Sequence, residues 1–271
     1  MKILYWNVNG LRAVERKNCL QPLISELSPD IVGIQEIKAK PEQLNHLEIN
    51  YPEYLVNWHS AIQPGYSGTG LLIKKNFLEN NDFSIIKIEK GINSSQAFID
   101  DTEGRCQTLF LSNSNTKLAI LNIYFPNGGK SEAAWYGKLE FYCEVLNYVN
   151  KLRSESFLVI WGGDVNCAHH EIDLALPKEN EGQIGFHPQE RQWLSNWIMQ
   201  GWCDIFRSLY PKKIIYSWWH LVTRARERNI GWRIDYAFCD QKLLKKVESI
   251  DYLTNIYGSD HCPLFLSIDI S

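Results

Sequence analysis

Several short apolar runs in this chain end abruptly in polar, carboxylate-bearing clusters, and this restricts the fold more than any other feature. Lys2–Trp6 runs into Asn7-Val8-Asn9, Ile31–Gln35 into Glu36, and Lys117–Phe125 into Pro126-Asn127. Phe157–Trp161 runs into Gly162-Gly163-Asp164-Val165-Asn166, while Ser259-Asp260-His261 stands just before Leu264–Ile268. With Gly70–Ile73 and Arg233–Cys239, these runs of Ile, Val, Leu and aromatics read as strands. Helical patterns at Cys19–Leu27, Ala133–Leu152 and Pro188–Gln200 fall between some of them at irregular intervals. Mixed order of this kind predicts an α/β sandwich of layered sheets with outer helices, not a barrel. Loops at one end of a rigid sheet are where sites are assembled.

Composition bounds the rest. Hydrophobic residues make up 45% of the 271 positions, enough for the core of one large α/β domain spanning 1–271. The formal charge of −3 does not advertise nucleic acid, so any such role needs a local basic patch. Seven cysteines without a CxxC favour reduced thiols. The opening MKILYWNVNG is too short and too polar for a signal peptide, and no run approaches a membrane span. A soluble, cytoplasmic protein is expected. Ten Trp and thirteen Tyr exceed what a core needs, and the surplus suits a surface that receives bases or sugars.

Glu36, Asp164 and Asp260 occupy equivalent strand ends, and Mg2+ is served by one or two carboxylates plus water. Asn7 and Asn166 add amides that accept from a ligand or donate to a phosphate oxygen. In extended chain, Asp164 with Asn166 and Asn7 with Asn9 share a face. Phosphodiester hydrolysis needs a positioned water, neutralised phosphoryl charge and help for the leaving oxygen, and this set can supply each. Singly, each residue has a plainer reading: Glu36 a solvated loop residue, Tyr124 core, Ser-Asp-His a cap. His169-His170-Glu171 lacks zinc-ligand spacing.

Taken in order, the motifs are specific. Trp6-Asn7-Val8-Asn9-Gly10-Leu11-Arg12-Ala13, Ile34-Gln35-Glu36, the run GYSGTG at 65–70 and Asn122-Ile123-Tyr124-Phe125-Pro126-Asn127 come first. Gly163-Asp164-Val165-Asn166, Glu171-Ile172-Asp173-Leu174, the run GFHPQER at 185–191, GWRIDY at 231–236 and GSDHCP at 258–263 follow. Over nearly its whole length the chain resembles the exonuclease III family of apurinic/apyrimidinic (AP) endonucleases. The resemblance implies a DNase I-like four-layer α/β sandwich with two packed mixed sheets. It implies Mg2+-dependent (or Mn2+-dependent) incision 5′ to abasic sites in duplex DNA. 3′→5′ exonuclease, 3′-phosphatase and 3′-phosphodiesterase activities on blocked 3′ ends, by a monomer, come with it.

Carried over by motif, Glu36 is the principal metal ligand, with Asp260, Asn7 and Asn9 near the ion and Asp164, Asn166 and His261 at its border. Asp164 would activate water or protonate the leaving oxygen, with Asn166 orienting it. Tyr124 would bind the phosphate or act as a phenolate. His261, held by Asp235, would bond the scissile phosphate, as acid, base or electrostatic stabiliser. Trp218, Trp232 and Ile234 would line the pocket for an extruded abasic sugar. Tyr66, Ser67, Gly68 and Asn127 would contact the DNA backbone, and Arg224 and Arg226 would grip phosphates. Asn9 stands where some relatives carry Asp, and Trp218 where others have Phe. Two other readings stay open: a hydrolase of the same superfamily acting on a lipid or inositol phosphate, and a DNA-damage binding module without chemistry.

Overall fold

The structure, a computed structural model, describes residues 1–92 and 101–270. Twelve strands form two six-stranded sheets. The first holds β1 (Lys2–Asn7), β2 (Ile31–Gln35), β3 (Tyr54–His59), β4 (Thr69–Lys74), β11 (Val247–Tyr252) and β12 (Leu264–Ile268), ordered β11-β12-β1-β2-β4-β3. The second holds β5 (Ser84–Lys90), β6 (Cys106–Ser112), β7 (Lys117–Tyr124), β8 (Leu158–Asp164), β9 (Trp202–Asp204) and β10 (Asp235–Asp240), ordered β5-β6-β7-β8-β10-β9. Each sheet has one parallel pair at its centre, β1 with β2 and β7 with β8, flanked by antiparallel neighbours. The chain carries no visible sequence repeat, yet the two sheets repeat this plan.

The central strands read as continuous apolar runs because both faces are covered. Ile3 and Tyr5 point at the second sheet and join Ile31, Leu118, Ile120 and Ile160. Leu4 and Trp6 point the other way, onto α1 (Leu11–Arg16) and α2 (Leu20–Leu27). Across the second sheet, Leu121, Ile123 and Trp161 meet α3 (Glu132–Ser154) and α4 (Pro188–Met199) through Phe141, Tyr142, Val145 and Trp197. The layers are therefore helix, sheet, sheet, helix, as the motif resemblance implies.

The expected strands and helices fall where read, shifted by a few residues at their ends. Strand β8 runs on to Asp164, and β10 starts only at Asp235. Arg233 lies outside β10; its guanidinium is drawn into a buried ion cluster described below. Five strands escaped the reading. Edge strands β3, β5 and β11 alternate exposed and covered residues, β9 has three residues, and β6 interrupts its apolar run with Gln107 and Thr108.

The topology explains the polar clusters. Parallel neighbours end on the same side, so β1, β2, β7 and β8 deliver Asn7, Glu36, Tyr124 and Asp164 to one rim. Strand β10 runs antiparallel to β8 and places Asp235 opposite Asp164. Strand β12 runs antiparallel to β1, which brings Asp260 and His261 to the same rim. Because β1 lies against β8 and β2 against β7, the two sheets' rims merge into one site. Just beneath it, Gln35 Nε2 donates to Asn122 Oδ1 at 2.6 Å, and Asn122 Nδ2 donates to the carbonyls of Ile34 and Gly70.

Candidate active site

Asn7 is fully buried and acts as a bridge. Its Nδ2 donates to Glu36 Oε1 and to Asp164 Oδ2, each at 2.8 Å, and so sets the two carboxylates side by side. Its Oδ1 accepts from the Asn9 amide N–H at 3.0 Å. Asn9 and Asn166 reach the site through left-handed backbone, with φ of 45° and 56°, not through extended chain. Asn tolerates that region, but Glu36 shares it at φ 55°, where a long side chain is uncommon. Glu36 is held there because its carbonyl accepts from Gly10 N and the next residue donates to Gly68 O. The glycine before Asp164 is required: at Gly163 (φ 128°), a Cβ would fall 2.1 Å from the Ile123 carbonyl oxygen.

Asp235 Oδ2 lies 2.8 Å from His261 Nδ1, and His261 Nε2 faces Asp164 Oδ2 at 3.8 Å. Burial disfavours charge on the imidazole, but the Asp235 carboxylate, then Asp164, push its pKa up to about 10. Burial also pushes Asp164 up to about 7, against the pull of His261 and with the push of Asp235 and Glu36. Asp164 is further pinned by the Asn166 backbone N–H at 2.8 Å. Asp260 is held low against burial by His261 and by bonds from Trp218 and Asn9.

Among the described residues, one group of acidic or histidine side chains, Glu36, Asp164 and His261, offers ligand atoms within 4.8 Å of one another. The donor set is oxygen-rich, as a hard divalent cation requires. Hydrogen bonds occupy part of this set. His261 has its Nδ1 taken by Asp235 and its pKa raised, which suits its Nε2 to donate to an anion. Asn7 has its amide engaged by Glu36, Asp164 and Asn9, and so aligns the two carboxylates. Asn166 has its Nδ2 on Phe125 O and its Oδ1 accepting from Asn127 Nδ2, so it too orients. Tyr124 bonds Glu36, and burial with the nearby charges of Glu36 and Asp164 raises its pKa well above the ordinary value. Burial and these carboxylates favour the hydroxyl of Tyr124 over its phenolate.

These groups line one side of a cleft of about 250 Å³ whose other side is Trp218, Trp232, Ile234, Ile184 and Gly185. The two indoles stand nearly perpendicular, with ring centres 6.4 Å apart. Trp219, by contrast, is core. Asn127 is exposed at the cleft and Tyr66 is half-buried near it, under the Lys130 ammonium at 4.2 Å. Ser67 and Gly68 do not face outward as expected. Both are buried, and the N–H and carbonyl of Gly68 are taken by Glu103 and Ile37. Arg226 is likewise spent: it donates to the carbonyls of Ser259, Thr254 and Ile256 and stacks on Trp219 and Tyr257. Arg224 stays exposed.

Two site residues were not read from the sequence. Lys38 pairs with Glu36 at 2.6 Å and donates to Asn9 Oδ1. Lys138 is fully buried on α3, pairs with Glu190, and donates to the carbonyls of Asn127 and Asn166 at 3.1 and 2.9 Å. It thus ties two rim loops together. A lysine three and four residues before Phe141 and Tyr142, on the apolar stripe of a helix, was the available signal.

Comparison with known proteins agrees with this geometry. The model of the Endonuclease/Exonuclease/phosphatase family matches residues 4–261. An exodeoxyribonuclease of Bacillus subtilis is 35% identical over 271 residues, covering the whole of both chains. A DNA-(apurinic or apyrimidinic site) endonuclease of Dictyostelium discoideum is 33% identical, covering all of this chain and 71% of its own. The crystal structure of the AP endonuclease LMAP from Leishmania major superposes with a TM-score of 0.87 at 26% identity, covering 100% of this chain and 88% of the other.

Proposed function

This chain belongs to the endonuclease/exonuclease/phosphatase family, and from that membership we propose a DNA-repair nuclease that incises 5′ to abasic sites in duplex DNA. The same site would trim blocked 3′ ends by 3′→5′ exonuclease, 3′-phosphodiesterase and 3′-phosphatase action. The observation that carries this reading is the Asp235–His261 pair facing Asp164 and Glu36 beside a two-tryptophan cleft.

Glu36 would hold a Mg2+ ion, with Asp164 and Asp260 at its border, and Mn2+ would substitute. Such an ion neutralises phosphoryl charge and polarises the scissile group. The chain's own residues supply the remainder. His261, kept charged by Asp235, donates from Nε2 to a non-bridging oxygen where negative charge grows. Asp164 has a proton affinity poised near neutrality, suited to taking a proton from water or giving one to the leaving oxygen. Asn7 and Asn166 hold that carboxylate in place. Trp218, Trp232 and Ile234 would receive the sugar turned out of the duplex. Extrusion costs least where no base is stacked, and the two indoles of the cleft add to that preference. Arg224 and Lys130 supply local positive charge despite the acidic total.

The test is cleavage of a duplex carrying one tetrahydrofuran abasic analogue, with and without EDTA, by the wild-type protein and Asp164→Asn. A single nick that needs the cation and drops roughly 10³-fold in the variant is expected. Equal cleavage in EDTA, or turnover of a phosphoinositide without any of DNA, would sink the reading.

A further inference from the structure

Asn9 and Trp218 hold the same carboxylate from opposite sides. Asp260 Oδ1 accepts from Asn9 Nδ2 at 2.9 Å and from Ser259 Oγ at 3.2 Å. Its Oδ2 accepts from the Trp218 indole N–H at 3.0 Å. Among the described residues, no lysine, arginine or histidine forms an ion pair with Asp260. Its hydrogen-bond donors are neutral, with the charge of His261 acting from nearby.

Both donors are themselves fixed. Lys38, paired with Glu36, donates to Asn9 Oδ1, which leaves Nδ2 to face Asp260. Trp218 exchanges backbone bonds with Trp232, each 2.9 Å, and the next residue donates to the Asp260 carbonyl at 3.0 Å. This small ladder fixes the Trp218 backbone beside Asp260, and the bond from the indole N–H to Oδ2 holds the ring. The same ring lines the cleft. A continuous arc runs Glu36, Lys38, Asn9, Asp260, Trp218.

We infer that Trp218 is a positioning residue for the cation half of the site as well as a wall of the cleft. Its N–H and the Asn9 amide pre-orient the Asp260 carboxylate. A carboxylate already locked in one rotamer loses less freedom when a cation arrives, and partners that orient a ligand are worth about 10–100-fold in metal affinity. This arrangement lets one carboxylate serve where a freely rotating one would bind weakly. The inference rests on the proposal that Asp260 borders the cation.

The experiment is calorimetric titration of Mn2+ into the metal-free protein without DNA. It compares wild type, Trp218→Phe, Asn9→Ala, Asp260→Asn and the double variant Trp218→Phe/Asp260→Asn. Trp218→Phe keeps an aromatic ring in the wall, smaller than the indole, and removes the donor. Asn9→Ala removes the other arm at an exposed position; its left-handed φ of 45° suits Asn better than Ala, so its melting temperature is read beside the titration. Each single variant is expected to weaken Mn2+ roughly 10-fold. The double variant should be no weaker than Asp260→Asn, because Trp218 acts through Asp260. If Asp260→Asn loses Mn2+ affinity while Trp218→Phe and Asn9→Ala do not, the positioning role is overturned. If Asp260→Asn itself binds Mn2+ like wild type, the assignment of Asp260 to the cation fails, and the inference with it.

Discussion

Two buried clusters of charge lie back to back in this molecule, and they differ in their sum. Behind the cleft, Asp173 and Asp204 meet Arg233 and Arg207. Arg233 donates to Asp173 at 2.8 Å and to Asp204 at 2.7 Å, and Arg207 donates to Asp173. Two carboxylates face two guanidiniums, and the cluster is closed. Burial alone would raise Asp173, but Arg233 and then Arg207 hold it far below the usual carboxylate range. In front, Glu36, Asp164, Asp235 and Asp260 share the rim with the single imidazolium of His261 and the half-exposed Lys38. Negative charge is left over there. The same residue types build a brace where charges balance and a cation-seeking site where they do not. Both come from the motifs that carry the family resemblance: Asp173 and Arg233 are as much part of them as Asp235.

The comparison can be broken from either side. The largest expected effect is on catalysis: Asp164→Asn should lower abasic-site incision roughly 10³-fold, while the melting temperature holds or rises. Removing a carboxylate from an overcrowded site relieves repulsion. A large loss of stability would erase the distinction. Next, Asp173→Asn should cost about 3–5 kcal/mol in denaturant unfolding, because it strands buried guanidinium charge. Incision per folded molecule should stay near wild type, and a selective catalytic loss with normal stability would make the brace part of the chemistry.

The third test uses pH. The folded-state pKa of His261 is raised, so the stabilisation from its pairing is fully present below the ordinary histidine range and is lost as pH rises through about 10. In metal-free Asp235→Asn the chief raising charge is gone while Asp164 and Asp260 remain, so the imidazole should titrate at lower pH than in wild type. NMR titration of the imidazole nitrogens reads this directly; an unchanged titration would remove Asp235 from its assigned role. The smallest effect separates two arginines. Arg224→Ala should weaken DNA binding and lower the salt-dependence slope by about 1, with little change in melting temperature. Arg226→Ala should do the reverse, because its guanidinium braces three carbonyls.

Much of this was legible in the chain. Central strands buried on both faces leave unbroken apolar runs, so β1, β2, β4, β7, β8 and β10 were readable, and so were polar residues at the ends of several. Edge strands were not, because half their residues face water and carry no distinct pattern. Ser67, Gly68 and Arg226 were read as DNA contacts because a sequence does not say which way a loop turns. Lys38 and Lys138 were missed because their roles are contacts with residues brought near only by folding.

The sequence by itself determined the inventory: which groups can hold a cation, a proton or a phosphate, and the strand ends that carry them. That follows from local chemistry, since apolar periodicity and turn residues act over a few positions. Only the tertiary structure decided the partition. It set Asn7 between Glu36 and Asp164, closed Arg233 into a balanced brace, buried Tyr124 beside two carboxylates, and set Asn9 and Trp218 on one carboxylate. Each of those outcomes depends on burial and on the charges of chain-distant neighbours, which do not exist until the two sheets pack rim to rim.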